Sequence, residues 1–508
     1  MKAIQILKNT LLVGICLLGS ISCDDDLNEP LDNEALLEDV DYTRSENMFE
    51  ILKGSYAELY HLQWETFPII SVRGDDVNAA GDQPPLHQTD EFLYNENAWM
   101  YNSAWQNLYG DLFVWKAAQE ELLKYKEFAS NPANADQYIA EINVMIGFEL
   151  LQISRLWGDV LIPPTSNAED LYNTPVSSQS EVLQYISDLM DESIPNLPNV
   201  HPNQRTDITG GITSNTARAV KAMVNLDNKN WQGVVDATDG IIGSNLYTLE
   251  PDYYNLFKIP GKLNDENILE LQYSDFGNSS GENRSYLYAS LGPNEWTPAV
   301  SGAQAGWGFW EPSIPYIEFM LDRDETIRLE TSVLFTPDGI DELISNGNTD
   351  LPGFVTNVTR DGDQFDNSAR LNFGSGKHYL PSVQLSPGQT IYGRNKNFIV
   401  IRYAEVLLMH AEAIVNGATS STISADQAVN LVRARAGLDD LVGVTLDQVL
   451  DEKFAEFGME WGIRYYDLVR HDLTQPLNYG GRTYDPASDK FLPYPLSQAT
   501  ILSQLQNN

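Results

Sequence analysis

Apolar residues returning every three or four positions, in two blocks on either side of an aperiodic stretch, constrain this chain most. Met48, Ile51, Leu52, Tyr56 and Leu59 open the first block. Trp105, Leu108, Leu112, Trp115, Ala118 and Leu122 continue it. Ile139, Ile142, Met145, Ile146, Leu150 and Ile153 then predict a helix over 135–157 that stops at Gly158. Further helices are predicted near 180–194, 213–224 and 231–242, and the second block predicts 403–414, 424–435 and 446–461. Between them, residues 251–398 are dominated by Gly, Pro, Asn, Asp and aromatics, the composition of loops, short strands and brief helices. A polar loop is expected over 71–90, and Pro493 and Pro495 predict an extended tail. The fold class that follows is mainly α, and the pattern is not that of an α/β enzyme. Helices paired by short turns suggest a tetratricopeptide-like scaffold with a large irregular loop and short-strand insertion.

Ahead of this scaffold stand Lys2 and Lys8, an apolar run over 11–21, small Ser22 and then Cys23-Asp24-Asp25-Asp26. A basic start, a short apolar core and a small residue before the junction describe a secretory leader. The run is too short to span a membrane, which takes about 20 apolar residues. A cysteine just after the junction makes the segment resemble a bacterial lipoprotein signal, which implies lipid attachment at Cys23. Only Cys16 and Cys23 occur, and Cys16 would leave with the leader, so no disulfide framework is expected. Membrane contact is then expected through the lipid alone.

Lys and Arg total 31 against 72 Asp and Glu, a net charge of −41. Nucleic acid is excluded as a partner, since binding it means neutralising phosphates with Lys and Arg. The excess charge reads as a solubility feature.

Five strings give the chain a family likeness. They are Arg155-Leu156-Trp157-Gly158-Asp159-Val160; Arg402-Tyr403-Ala404-Glu405-Val406-Leu407-Leu408-Met409; Val432-Arg433-Ala434-Arg435-Ala436-Gly437-Leu438; Glu452 through Glu456 and Glu460 to Arg464-Tyr465-Tyr466-Asp467; and Leu492-Pro493-Tyr494-Pro495-Leu496. In this order, behind a lipoprotein-like signal, they resemble the SusD/RagB family of Bacteroidetes outer-surface lipoproteins. The resemblance implies a non-enzymatic protein that binds oligosaccharide or polysaccharide and delivers it to a SusC-like TonB-dependent transporter barrel. It also implies a lipid-anchored location in the outer membrane, facing outward, with Asp24, Asp25 and Asp26 similar to the family's export tag. Alternatives are the same fold binding peptides or other nutrients, or a surface glycan hydrolase. The resulting division is leader 1–22, acidic tether 23–44, N-terminal helical region 45–250, irregular insertion 251–400 and C-terminal helical region 401–508.

Glu452, Glu456, Glu460 and Arg464 are four apart and would stack on one helix face. Glu460 and Arg464 would pair there, and Arg433, Arg435 or Arg470 would balance the remaining glutamates. No catalytic residue, cofactor or metal is expected. Gly277-Asn278-Ser279-Ser280-Gly281 fits the nucleophile-elbow spacing but lacks the strand before it and reads as a loop. The six histidines show no two-His metal spacing, and Asp361, Asp363, Asp366 and Asn367 read as a solvated turn.

Sugar rings present flat C–H faces to aromatic planes and hydroxyls to polar groups in the ring plane. Trp64, Trp99, Trp296, Trp307 and Trp310 fall in or beside polar segments, whereas Trp105, Trp115, Trp157, Trp231 and Trp461 fall in helices. The expected carbohydrate site is therefore Trp99 and Trp296 as stacking planes, with Arg73, Asp76, Asn95 and Tyr101 as hydroxyl partners. Trp307 and Trp310 rank lower, as scaffold.

Overall fold

Helix starts are written locally in this chain. Ser178–Glu181, Thr213–Thr216, Ser424–Gln427 and Thr445–Gln448 each form a reciprocal capping box. The computed structural model describes residues 40–62, 65–274, 286–388 and 391–507. Cys16, Cys23, the Asp24–Asp26 run, Trp64 and the Gly277–Gly281 string lie outside the described residues.

Helices of at least eight residues are α1 (Asn47–Glu58), α2 (Trp99–Phe128), α3 (Ala135–Trp157), α4 (Gln179–Ser193), α5 (Ser214–Asp227), α6 (Trp231–Ile242), α7 (Ile314–Asp322), α8 (Pro337–Ser345), α9 (Tyr403–Val415), α10 (Ala425–Arg435), α11 (Leu446–Phe457) and α12 (Ile463–Arg470). Each of α1 to α5 packs on the next, and α6 packs on α9, so the helical series resumes beside the point where it left off. The fold is mainly α: a tetratricopeptide-like scaffold of helical pairs with a large irregular insertion. Strand β2 (Asn267–Leu271) pairs antiparallel with β8 (Phe398–Arg402) and closes the insertion near its base.

Three further two-stranded ladders organise the insertion. β1 (Val77–Ala79) pairs with β4 (Trp310–Pro312), β3 (Trp296–Thr297) with β6 (Gln364–Phe365), and β5 (Val333–Phe335) with β7 (Phe373–Ser375). The first of these ties the segment before α2 to the insertion. The stretch over 71–90, expected as a polar loop, accordingly contains a strand and a short helix, Pro84–Asp90, and much of it is buried. Gly158 ends α3 with φ of +76°, and a Cβ there would meet the Phe491 ring at 2.8 Å.

The helix expected over 446–461 ends four residues earlier, at Phe457. Met459, Trp461 and Gly462 then take positive φ. Glu460 and Arg464 therefore leave the face shared by Glu452 and Glu456. Arg464 Nε donates to Asp75 Oδ1 at 2.7 Å instead of pairing with Glu460. Glu460 binds Arg402 and Lys377, Glu456 binds Arg328, Arg402 and Arg435, and Glu452 binds Arg323, Arg328 and Arg433. Arg470 serves Glu412, Asp467 and Asp227 rather than the glutamates of α11. The motif residues are thus a buried ion network joining α10, α11, α12 and β8 to the insertion.

Candidate functional site: an aromatic cleft on helix α2

Helix α2 buries Trp105, Leu108, Leu112 and Trp115 against the scaffold. On another stripe, Trp99, Ser103, Asn107 and Asp111 recur four apart and so lie on one face, about 6 Å per step along the axis. The stripe runs from an exposed Trp99 to a buried Asp111. Ser103 and Asn107 in its middle line a cleft of about 490 Å³ together with Tyr60, His61, Glu65, Tyr286 and Trp307. That volume lies within the usual range of small-ligand sites.

Each wall is held by different chemistry. Tyr60 and His61 sit on the 3-10 turn Leu59–Leu62 that follows α1. Their rings lie 4.7 Å apart, and Tyr60 is 44% exposed. On the insertion side, Trp307 N–H donates to Ala289 O at 2.6 Å, and Arg370 donates to Trp307 O at 2.9 Å. These bonds pin the backbone, and the indole stacks with Tyr286 at 5.9 Å and 28°. Ser103 Oγ donates to Glu65 Oε1 at 3.1 Å. Burial pushes the Glu65 carboxyl above its ordinary value, while the hydrogen bond to Asp111 raises the His61 imidazole. The cleft thus offers aromatic planes next to a carboxyl, a hydroxyl, an amide and an imidazole.

A wider groove of about 860 Å³ lies near the C-terminus. Its hydroxyls are already used internally: Tyr94 donates to Asp489 O and Tyr494 to Asp159 O.

The residues singled out from sequence divide sharply. Trp99 is 49% exposed on the first turn of α2, one step above Ser103, with exposed Asn95 just before it. Trp296 is half-buried, its ring edge-on to Tyr392 at 5.7 Å and Tyr379 at 6.3 Å. Arg73, Asp76 and Tyr101, expected as hydroxyl partners, are instead buried within the scaffold. Arg73 donates to Tyr466 Oη at 2.8 Å and stacks on Tyr465, Asp76 accepts from Met459 N–H at 2.7 Å, and the Tyr101 hydroxyl meets Thr89 Oγ1 at 2.8 Å. The β1–β4 pairing draws Arg73 and Asp76 inward, and Tyr101 falls on the buried face of α2. Trp310 is likewise fully buried, between Phe67 and His378.

Asp363, in the turn expected to be solvated, is instead buried and accepts from Ala299 N–H, Ser382 N–H, Ser382 Oγ and Tyr379 Oη. Its oxygens organise the loop. Tyr60, His61, Glu65, Ser103, Asn107 and Tyr286 were not singled out from sequence. The signal that could have found three of the cleft's residues is the polar stripe below Trp99 and the glycines flanking Trp307.

Residues 265–492 match the SusD family model. A SusD-like protein of Bacteroides ovatus is 24% identical over 460 residues, covering 85% of this chain and 77% of that relative. The chain is thus similar to SusD-like proteins in sequence. Among solved structures, a laminarin binding SusD-like protein superposes with a TM-score of 0.75 at 20% identity, covering 91% of this chain and 98% of the other. Surface glycan-binding protein A from Bacteroides thetaiotaomicron, in complex with laminarihexaose, gives 0.73 at 21% identity, covering 91% and 99%. Among the described residues, no helix of this SusD-like fold is long and apolar enough to cross a membrane.

Trp99→Ala is expected to change stability by no more than about 0.5 kcal/mol, as for an exposed residue away from core and caps. Thermal unfolding of the variant checks its placement outside the core.

Proposed function

We propose that this chain is a surface lipoprotein that binds oligosaccharide in the cleft lined by Tyr60, Tyr286 and Trp307. The observation that carries the reading is the stacked Tyr286–Trp307 pair in the same cleft as Glu65, Ser103 and Asn107. Flat apolar faces beside hydroxyl-binding groups are what a pyranose ring requires. Trp99 and Asn95, one helical step above, would extend the site for a longer chain. Trp296 remains a second candidate plane through its half-exposed edge.

Hydrolysis is disfavoured by the same geometry. Glu65 is the single carboxyl among the described residues lining the cleft, and the usual glycosidase mechanisms need two. An open site of this kind binds a flexible ligand modestly. Tethering beside a transporter compensates by raising the effective ligand concentration at its mouth. A lipid on Cys23 and a SusC-like TonB-dependent barrel as partner complete the reading, with the chain on the outer face of the outer membrane. The family likeness and the leader support both.

The first test is calorimetric titration with laminarihexaose, the ligand of one similar structure, followed by a panel of other oligosaccharides. Saturable binding without product release is expected. Peptide binding with no response to any glycan would favour the alternative cargo, and released shorter sugars would favour the hydrolase. For anchoring, Cys23→Ala is expected to shift the protein from the outer-membrane fraction to the soluble one. Retention of the variant in membranes would refute the lipid assignment. Mild-detergent extraction is expected to recover a large β-barrel with the wild type, and recovery of the lipoprotein alone would count against the partner.

A further inference from the structure

The polar stripe on α2 does not end at the cleft. One step beyond Asn107, Asp111 Oδ1 lies 2.7 Å from His61 Nδ1, and Glu58 Oε2 lies 3.5 Å from the same nitrogen. One ligand atom from each of these three residues falls within 4.8 Å of the others. Two carboxylate oxygens and an imidazole nitrogen so placed can share a single divalent ion. The three positions are set by regular structure. Glu58 ends α1, His61 is on the 3-10 turn that follows, and α1 packs on α2.

A second, independent observation points to the same place. Glu149 on α3 is fully buried against Asp111. The neighbour these oxygens have is the other carboxyl, Glu149 against Asp111, and among the described residues no third group donates a hydrogen bond to either Glu149 oxygen or to Asp111 Oδ2. Orphaned carboxylate oxygens in an interior are costly and uncommon, and a bound cation answers that cost.

We propose that Glu58, His61 through Nδ1 and Asp111 form a binding site for a divalent transition-metal ion of the zinc type, backed by the buried carboxyl of Glu149. The imidazole donor selects against Ca²⁺ and Mg²⁺, which prefer oxygen-only sets. The side chains of His61 and Glu58 are 31% and 29% exposed, so the ion can be reached from solvent. Because His61 and Tyr60 share the 3-10 turn, an ion here would also stiffen one wall of the cleft. The site rests on its own geometry and does not depend on the glycan reading.

The test uses the full mature chain, stripped with a chelator and titrated with Zn²⁺ by calorimetry, with metal content counted by mass spectrometry. One Zn²⁺ per chain is expected, with a thermal midpoint that rises with zinc concentration. His61→Ala, at a partly exposed position, is expected to abolish uptake while keeping its helical circular dichroism. Glu149→Gln is expected to weaken binding about 10–100-fold, as outer-shell changes do. Glu58→Gln serves as a second ligand variant should His61→Ala unfold. No stoichiometric uptake by wild type overturns the proposal, as does unaltered uptake by a folded ligand variant. Equal or stronger binding of Ca²⁺ overturns the choice of metal.

Discussion

Glu456→Gln is expected to lower unfolding stability by about 3–5 kcal/mol, the cost of removing one partner from a buried ion network. The side chain is fully buried and binds Arg328, Arg402 and Arg435, with Arg402 Nη1 at 2.5 Å. Glutamine keeps the volume and deletes the charge, leaving three buried guanidiniums short of a counter-ion. Burial raises the Glu456 carboxyl, and Arg435, Arg402 and Arg328 more than reverse this, holding it at about 2 against an ordinary 4.5. A folded-state value below the unfolded one stabilises above about pH 4.5, and that stabilisation is lost as pH falls toward 2. Wild type should therefore lose this contribution on the acid side, and Glu456→Gln should show a flatter decline there. The comparison variant is Asp82→Asn, at a pair with Arg370 where Asp82 is 61% exposed. A surface pair of this kind contributes about 0–1 kcal/mol. Urea unfolding of the three proteins decides the matter. A loss under about 1 kcal/mol for Glu456→Gln would mean that solvent or neighbouring groups replace the missing charge.

Trp307→Ala is expected to weaken oligosaccharide binding by about 1–3 kcal/mol, by analogy with stacking on flat bases. That is roughly a ten- to hundred-fold loss of affinity. The indole stacks on Tyr286, so its removal also strips a neighbour from the second plane. Since Trp307 is half-buried, its thermal midpoint must be measured alongside. Tyr60→Ala is the cleaner companion, because Tyr60 is 44% exposed and its loss should spare the fold. Trp99→Ala should weaken long oligosaccharides more than short ones, since Trp99 stands one step above the cleft. Unchanged affinity in folded Trp307→Ala and Tyr60→Ala variants would move the site elsewhere, with Trp99 and Trp296 the next planes to examine.

The sequence by itself determined the helices, their order and much of their ends, because each depends on neighbours within a few positions. The apolar period over 135–157, the stop at Gly158 and the start of helix 231–242 are all local chemistry. The same locality explains the failures. Arg73, Asp76 and Tyr101 look like a polar surface in sequence, yet the β1–β4 ladder, joining Val77 to Pro312, carries Arg73 and Asp76 inside, and Tyr101 falls on the buried face of α2. Glu460 and Arg464 look like one helix face, yet positive φ at Met459, Trp461 and Gly462 breaks the helix between Glu456 and Arg464. Their partners, Arg402 and Asp75, lie far away along the chain. The cleft is the extreme case, since Tyr60, Ser103, Tyr286 and Trp307 meet only after α1, α2 and the insertion have docked. Which side of a polar residue faces water is set by those long-range contacts, and no three- or four-residue period encodes them.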